Sequence, residues 1–277
     1  MRQKLLLLFL FVGQLCFSQE FRTLHIERKN VDANNKIFRI GNAFVYDYEI
    51  IDDGIRYKLN YNEGLPVNKF DLVKAEEDTL GLKIHLLVPR VSESEKTNRK
   101  QSEIYYLYEP AFSFMSQTGI VENEDNIWIH PPRSGFFQAL ETCPYPYIKY
   151  PIEIGRKWSD KMKIGDHWCN EKWGVWHKKL LLTYDYKITQ KTEIETGVGK
   201  AECYVIESTA DSDIGQSKLR SFYSEKYGFM RLEYETATGI KVNIWLDSFS
   251  EANNFNEMKE VAKYIDVQKR TVSSSRL

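Results

Sequence analysis

The residues best suited to chemistry lie in IWIHPPRSGFFQALETCPYPYIKYP, residues 127–151. His130 and Arg133 could together orient an anionic ligand, because the guanidinium offers a planar donor fork and imidazole exchanges a proton near neutrality. The same two side chains have a plainer use. Pro131 and Pro132 cannot donate to a β ladder, so Arg133 could satisfy carbonyls that the prolines leave unpaired while His130 closes a strand end. A second cluster follows at 167–177, where Trp168, Trp173 and Trp176 could stack a sugar ring or lie against a lipid chain, or could pack a hairpin. His167, Cys169 and His177 in the same stretch are spaced H-x-C-x7-H. No fourth ligand and no paired short spacing such as C-x2-C accompany them, so no metal site is expected.

Neither the G-x-S-x-G nor the H-E-x-x-H motif occurs, nor does a phosphate-binding loop or a dinucleotide fingerprint. No cofactor is therefore expected. Asp160, Asp166 and Glu171 lack a spacing that would make them a paired acid and base. What remains for catalysis is an envelope enzyme, hydrolase-like, built on His130 and Arg133.

These residues need elements to hold them, and the composition points to sheet: 17 Tyr and 6 Trp, with few alanine-rich helical stretches. Residues 41–51, GNAFVYDYEII, 80–89, LGLKIHLLVP, and 103–109, EIYYLYE, read as strands bounded by turns. Residues 91–101 between the last two are polar and read as a solvated, flexible loop. In 176–188, WHKKLLLTYDYKI, the side chains of Trp176, Leu180, Leu182, Tyr184, Tyr186 and Ile188 alternate with mainly polar ones, the mark of a half-buried antiparallel strand long enough to curve. Four further strand-like runs follow, with turns at Thr-Gly-Val-Gly and Ala-Thr-Gly, giving an up-and-down meander. Ser134 begins one or two helical turns that present Phe136, Phe137 and Leu140, and the prolines around them make 126–151 a stiff crossover. At the end of the chain, Phe255, Met258, Val261, Ala262 and Ile265 predict an amphipathic helix over 254–267, with Asn254 and Glu257 as its capping box and a disordered tail beyond.

The expected fold is mainly β, an antiparallel meander forming a curved sheet or half-barrel with a short C-terminal helix. Its organisation is a signal peptide over 1–18, a β domain over 19–252, and helix plus tail over 253–277. The β domain is either continuous or two halves, 19–125 and 152–252, joined by the crossover 126–151.

The first twenty residues, MRQKLLLLFLFVGQLCFSQE, place Arg2 and Lys4 before a short apolar run and small or polar residues before Gln19. That order is a secretory signal, with cleavage expected after Ser18, and the run is shorter than the ~20 residues that span a bilayer. The mature chain, without a transmembrane helix, is expected in the periplasm or cell envelope of a Gram-negative-type bacterium, or secreted. Loss of residues 1–18 leaves a net charge of about −3, which offers no electrostatic footprint for nucleic acid. In such a compartment Cys143, Cys169 and Cys203 allow one disulfide. Cys203 lies in a strand-like run, so Cys143 and Cys169, both in irregular segments, are the expected pair. A Cys143 thiol activated by His130 would be open to oxidation there.

Three segments carry a family resemblance: PIEIGRKW at 151–158, TYDYKITQKTEIETGVGKAECYVIES at 183–208, and FYSEKYGFMRLEYET at 222–236. Their pattern, Pro-x-x-x-Gly-x-x-Trp, a Tyr-rich strand, Gly-x-x-x-Cys-Tyr-x-Ile and Tyr-x-x-x-x-Gly-Phe, resembles bacterial envelope proteins that share a domain of unknown function. The resemblance implies a mainly antiparallel curved sheet or half-barrel and brings no catalytic residues. It leaves two kinds of function: a non-catalytic envelope module that binds an apolar or glycan-like ligand, or a partner in the envelope, and the enzyme built on His130 and Arg133.

Overall fold

A computed structural model of the chain describes residues 30–60, 70–75, 82–110, 112 and 115–274. The expected signal peptide and its cleavage point lie outside them. The chain builds one antiparallel sheet of fourteen strands, curled into a half-barrel, with one C-terminal helix.

In chain order the strands are β1 (Ala43–Asp52), β2 (Ile55–Asn60), β3 (Asp71–Lys74), β4 (Ile84–Leu87), β5 (Ser102–Tyr108), β6 (Met115–Glu122) and β7 (Asn126–Ile129). They continue as β8 (Tyr147–Lys149), β9 (Lys157–Gly165), β10 (Lys179–Thr196), β11 (Gly199–Ser212), β12 (Gly215–Ser224), β13 (Gly228–Glu235) and β14 (Lys241–Ser250). The sheet order is β8-β7-β6-β5-β4-β1-β14-β13-β12-β11-β10-β9, with β2 and β3 as a side hairpin on β1. Two meanders, β4 to β8 and β9 to β14, thus meet on the two sides of β1.

The local patterns explain the strands. In β1, Phe44, Tyr46, Tyr48 and Ile50 are buried and alternate with more exposed residues. In β10, Leu180, Leu182, Tyr184, Tyr186 and Ile188 do the same along an 18-residue strand, longer than the expected 176–188. A bulge between Ile188 and Gln190 bends it, as an unpaired residue in a ladder does. The curl is strong enough that the tip of the β10–β11 hairpin reaches β14: the Gly197 N–H donates to the Leu246 carbonyl at 3.2 Å. A Cβ at Gly197 would lie 2.0 Å from the Asp247 carbonyl oxygen, so only glycine fits the crossing. On the inner side, the opposite ends of the sheet come together. Tyr147 of β8 makes edge contacts with Trp158 of β9 and Tyr186 of β10, which are themselves stacked at 5.2 Å.

The stretch 126–151 does not lead from one sheet to another. β7 and β8 pair with each other, Asn126 opposite Lys149 and Trp128 opposite Tyr147, and the chain between them dips into the half-barrel. Its apex is a 3-10 helix, Gly135–Thr142, every residue of which is buried. Gly135 enters it at φ +59°, a conformation open to glycine at no steric cost. Phe137 meets Tyr48 and Tyr108, and Phe136 meets Phe70 and Trp173. The interior of the half-barrel is thus filled here by the protein's own side chains.

The helix α1 (Met258–Ser274) starts four residues after Asn254 and extends through Thr271–Ser274, where a disordered tail is expected from sequence. The Phe255 carbonyl accepts the Arg90 N–H, which ties that residue down ahead of the helix. Met258 is exposed, and the packed face is Val261, Tyr264, Ile265 and Val272, which with Phe255 covers Ala43, Leu87, Tyr105 and Leu107 on the outer face of β1, β4 and β5. Tyr264 closes the contact at 2.9 Å from His85 Nδ1, and His85 Nε2 is 2.7 Å from Glu109. The polar loop 91–101 is mostly exposed but anchored at its middle: Lys96 pairs with Asp32 at 2.9 Å, and the Thr97 hydroxyl donates to Glu103 at 2.8 Å. Among the described residues no helix is long and apolar enough to cross a membrane.

Candidate functional site

β7 delivers His130 and the 3-10 plug delivers Glu141, and the two meet inside. His130 Nδ1 lies 3.5 Å from Glu141 Oε1, and among the described residues neither atom has a hydrogen-bond partner. His130 is walled by the rings of Trp128 and Tyr145 at 5.5 and 4.8 Å. Tyr145 donates its hydroxyl to the other oxygen of Glu141. The backbone of His130 is held as well, since its carbonyl accepts the Tyr106 hydroxyl at 2.7 Å.

Burial sets the protonation of this pair. Desolvation, with the Arg133 charge as the second cause, lowers His130 from 6.5 to about 3. Desolvation raises Glu141 from 4.5 to about 7, against the hydrogen bond from Tyr145 and the attraction of Arg133. Between about pH 3 and pH 7 both groups are uncharged, which is how a low-dielectric interior tolerates them. Tyr184 and Tyr234 add buried hydroxyls whose ionisation is suppressed in the same way.

Arg133 is turned away from the pair. It donates to the Gln117 carbonyl at 2.9 Å, and its guanidinium lies 5.7 Å from the centre of the Trp168 ring. Trp168 is half-buried. Trp173 is inside the core, its indole N–H donating to the Trp168 carbonyl at 2.9 Å, and Trp176 is almost as deeply buried. The structure therefore brings Arg133 and Trp168 together and puts Trp173 and Trp176 into packing. Sequence reasoning passed over Glu141, since nothing in the spacing of His130 and Glu141 indicates that a turn of 3-10 helix will face them.

The expected Cys143–Cys169 disulfide is absent, and all three described cysteines are free thiols. Cys143 ends the plug and is carried into the interior, where burial pushes its thiol up to about 12. Cys169 follows a short 3-10 turn, Asp166–Trp168, and is half-buried. A thiol that buried and that weakly acidic is no nucleophile for His130 to activate.

A second feature was not foreseen from sequence. A cavity of about 950 Å³ opens across β9 to β14 and the end of β1, on the face opposite the plug. Charged and polar side chains from neighbouring strands stand around it, and they alternate along the strands with the buried Trp158, Tyr186, Ser208, Leu219 and Tyr234, which also border it. Cross-strand ion pairs tie some of these, Lys218 to Glu235 at 3.2 Å and Arg220 to Glu233 at 3.8 Å. A signal for it did exist: the polar positions that alternate with the buried ones in β10 to β14 are charged rather than merely polar.

No protein-family model matches the chain, and no curated protein matches it. Solved structures of similar fold include a candidate lipoprotein from Parabacteroides distasonis, at 14% identity over 77% of this chain and 97% of that one, TM-score 0.42. Others are a candidate exported protein with a YmcC-like fold from Bacteroides fragilis, at 10% identity over 79% and 98%, TM-score 0.41, and the hypothetical lipoprotein YmcC from Escherichia coli, at 11% over 74% and 84%, TM-score 0.35. At such identity none of them assigns a role to a residue of this chain.

Proposed function

We propose that the chain is an exported envelope protein that works by binding a polar, glycan-like ligand on the outer face of its curved sheet. The observation that carries this reading is the cavity of about 950 Å³, which is at the upper end of the range for small-molecule sites. Its rim of ionic groups, hydroxyls and an amide suits a ligand rich in hydroxyl groups. The apolar alternative has less support, because Phe136, Phe137 and Leu140 are packed into the interior. Catalysis at His130 finds little support in a buried, neutral imidazole whose neighbours are a carboxyl group and aromatic rings. Export rests on the charged start, short apolar run and Ser18–Gln19 junction of the sequence.

The test is native mass spectrometry of protein purified from its own envelope, combined with sequencing of its N-terminus. The expected result is a chain beginning at Gln19 that carries a saccharide-sized adduct, lost when Asn243 and Thr209 are both replaced by leucine. A cytoplasmic chain retaining residues 1–18 would overturn export. A stable His130→Ala protein that loses the adduct would move the site to the His130–Glu141 pair.

A further inference from the structure

We infer that the outer-face cavity takes an acidic saccharide, with the ligand's anionic group held between Lys157 and Lys187. The inference rests on reading this cavity as the binding site and adds the ligand's charge and its orientation.

The register of the sheet supplies the geometry. One row of side chains crosses the cavity from strand to strand: Lys157 opposite Lys187, Lys187 opposite Glu207, Glu207 opposite Arg220, Arg220 opposite Glu233, and Glu233 opposite Asn243. All six line the cavity. Opposite charges alternate from Lys187 onward, the arrangement that stabilises neighbouring strands, while like charges directly opposite each other destabilise them. Lys157 and Lys187 break the alternation. Both are exposed, and among the described residues neither makes an ion pair. The next row along, Asp185, Lys218, Glu235 and Lys241, is balanced. The cavity therefore carries one uncompensated positive charge, at its β9–β10 end.

A ligand that matches this field has one anionic group at that end and neutral hydrogen-bonding groups along the rest. Ionised, Glu207 and Glu233 can accept hydrogen bonds but not donate them, and they call for donors such as sugar hydroxyls. Asn243 and Thr209 can both donate and accept. A strongly acidic peptide would meet four carboxylates, Asp185, Glu207, Glu233 and Glu235. Nor can a peptide add as a strand to the middle of the cavity, because β10 to β14 are already paired on both sides. A carboxylate or phosphate on a saccharide satisfies both lysines, relieves their repulsion and leaves the hydroxyls to the acids.

Isothermal titration of the mature protein with cellobiouronic acid and with cellobiose, its neutral counterpart, tests the assignment. The acid is expected to bind at least tenfold tighter than the neutral sugar. That preference should fall toward parity in Lys157→Gln with Lys187→Gln and in 0.5 M salt, with the circular dichroism of the variant unchanged. Equal binding of the two sugars would overturn the acidic assignment and leave the cavity as a saccharide site. Binding of neither would overturn both. An undiminished preference for the acid in the lysine variant would also overturn it, because the charge would then be read elsewhere.

Discussion

His130 and Glu141 set up opposing pH dependences within one contact. Glu141, raised to about 7 in the folded protein, stabilises the fold fully below its ordinary value of 4.5, and this contribution is lost as the pH rises through 7. His130, lowered to about 3, contributes above its ordinary 6.5, and this is lost as the pH falls toward 3. Between about 4.5 and 6.5 the two slopes cancel; above that window only the loss from Glu141 remains. Glu141→Gln removes it. Urea midpoints should therefore move in favour of the variant, relative to the parent, between pH 5 and pH 8, whatever the offset at pH 5. A pH-independent offset would show that the carboxyl group titrates normally. Tyr145 and Tyr184 lie against the pair, Arg133 acts on it through its charge alone, and all three remain in both proteins. The sequence makes His130 conspicuous beside its two prolines, and Arg133 as its partner, because neighbours along the chain are all that spacing can show. The true partner is eleven residues on, beyond a change of direction that no periodicity encodes.

Among the elements, the 3-10 plug is the one whose role decides how 126–151 is understood. Its apolar side chains were legible as a short helix from Ser134. That β7 and β8 pair around it was not, since a strand of four residues and a strand of three carry too little pattern to show which strand they pair with. Phe137 is fully buried between Tyr48 and Tyr108. Phe137→Ala should cost ~3 kcal/mol or more in denaturant unfolding, as large-to-small changes in packed cores do. A loss below about 1 kcal/mol, in the range of surface changes, would make the plug a lid rather than core. The C-terminal helix shows the complementary limit. Its amphipathic period was visible, but its start was misplaced, because Asn254 and Glu257 imitate a capping box while the carbonyl of Phe255 is taken up by Arg90. A long-range bond overrode a local signal.

At the scale of the whole molecule, β1 is the seam. The alternation along β1, β5 and β10 made a curved antiparallel sheet legible in outline. The choice between one sheet and two halves stayed open because alternation says which face is buried and not which strand lies alongside. The structure gives β1 hydrogen-bonded ladders to β14 and to β4, one from each meander. One apolar core runs from Ile104 and Tyr106 on one side to Leu219 and Tyr234 on the other. Neither meander can lose β1 without exposing the inner face of the other. The protein should therefore unfold in one cooperative step, with tryptophan fluorescence and far-ultraviolet circular dichroism superimposing and the calorimetric enthalpy equal to the van't Hoff enthalpy. Tyr48→Ala sharpens the test, since Tyr48 is buried on β1 and its hydroxyl accepts the Leu59 N–H at 3.1 Å. Hydrogen exchange in that variant should rise to the same extent at Ile104 in β5 and at Leu219 in β12, on opposite sides of the seam. Faster exchange confined to β4–β8, or two resolved transitions in the parent protein, would mean that the meanders are separate folding units and that β1 belongs to one of them.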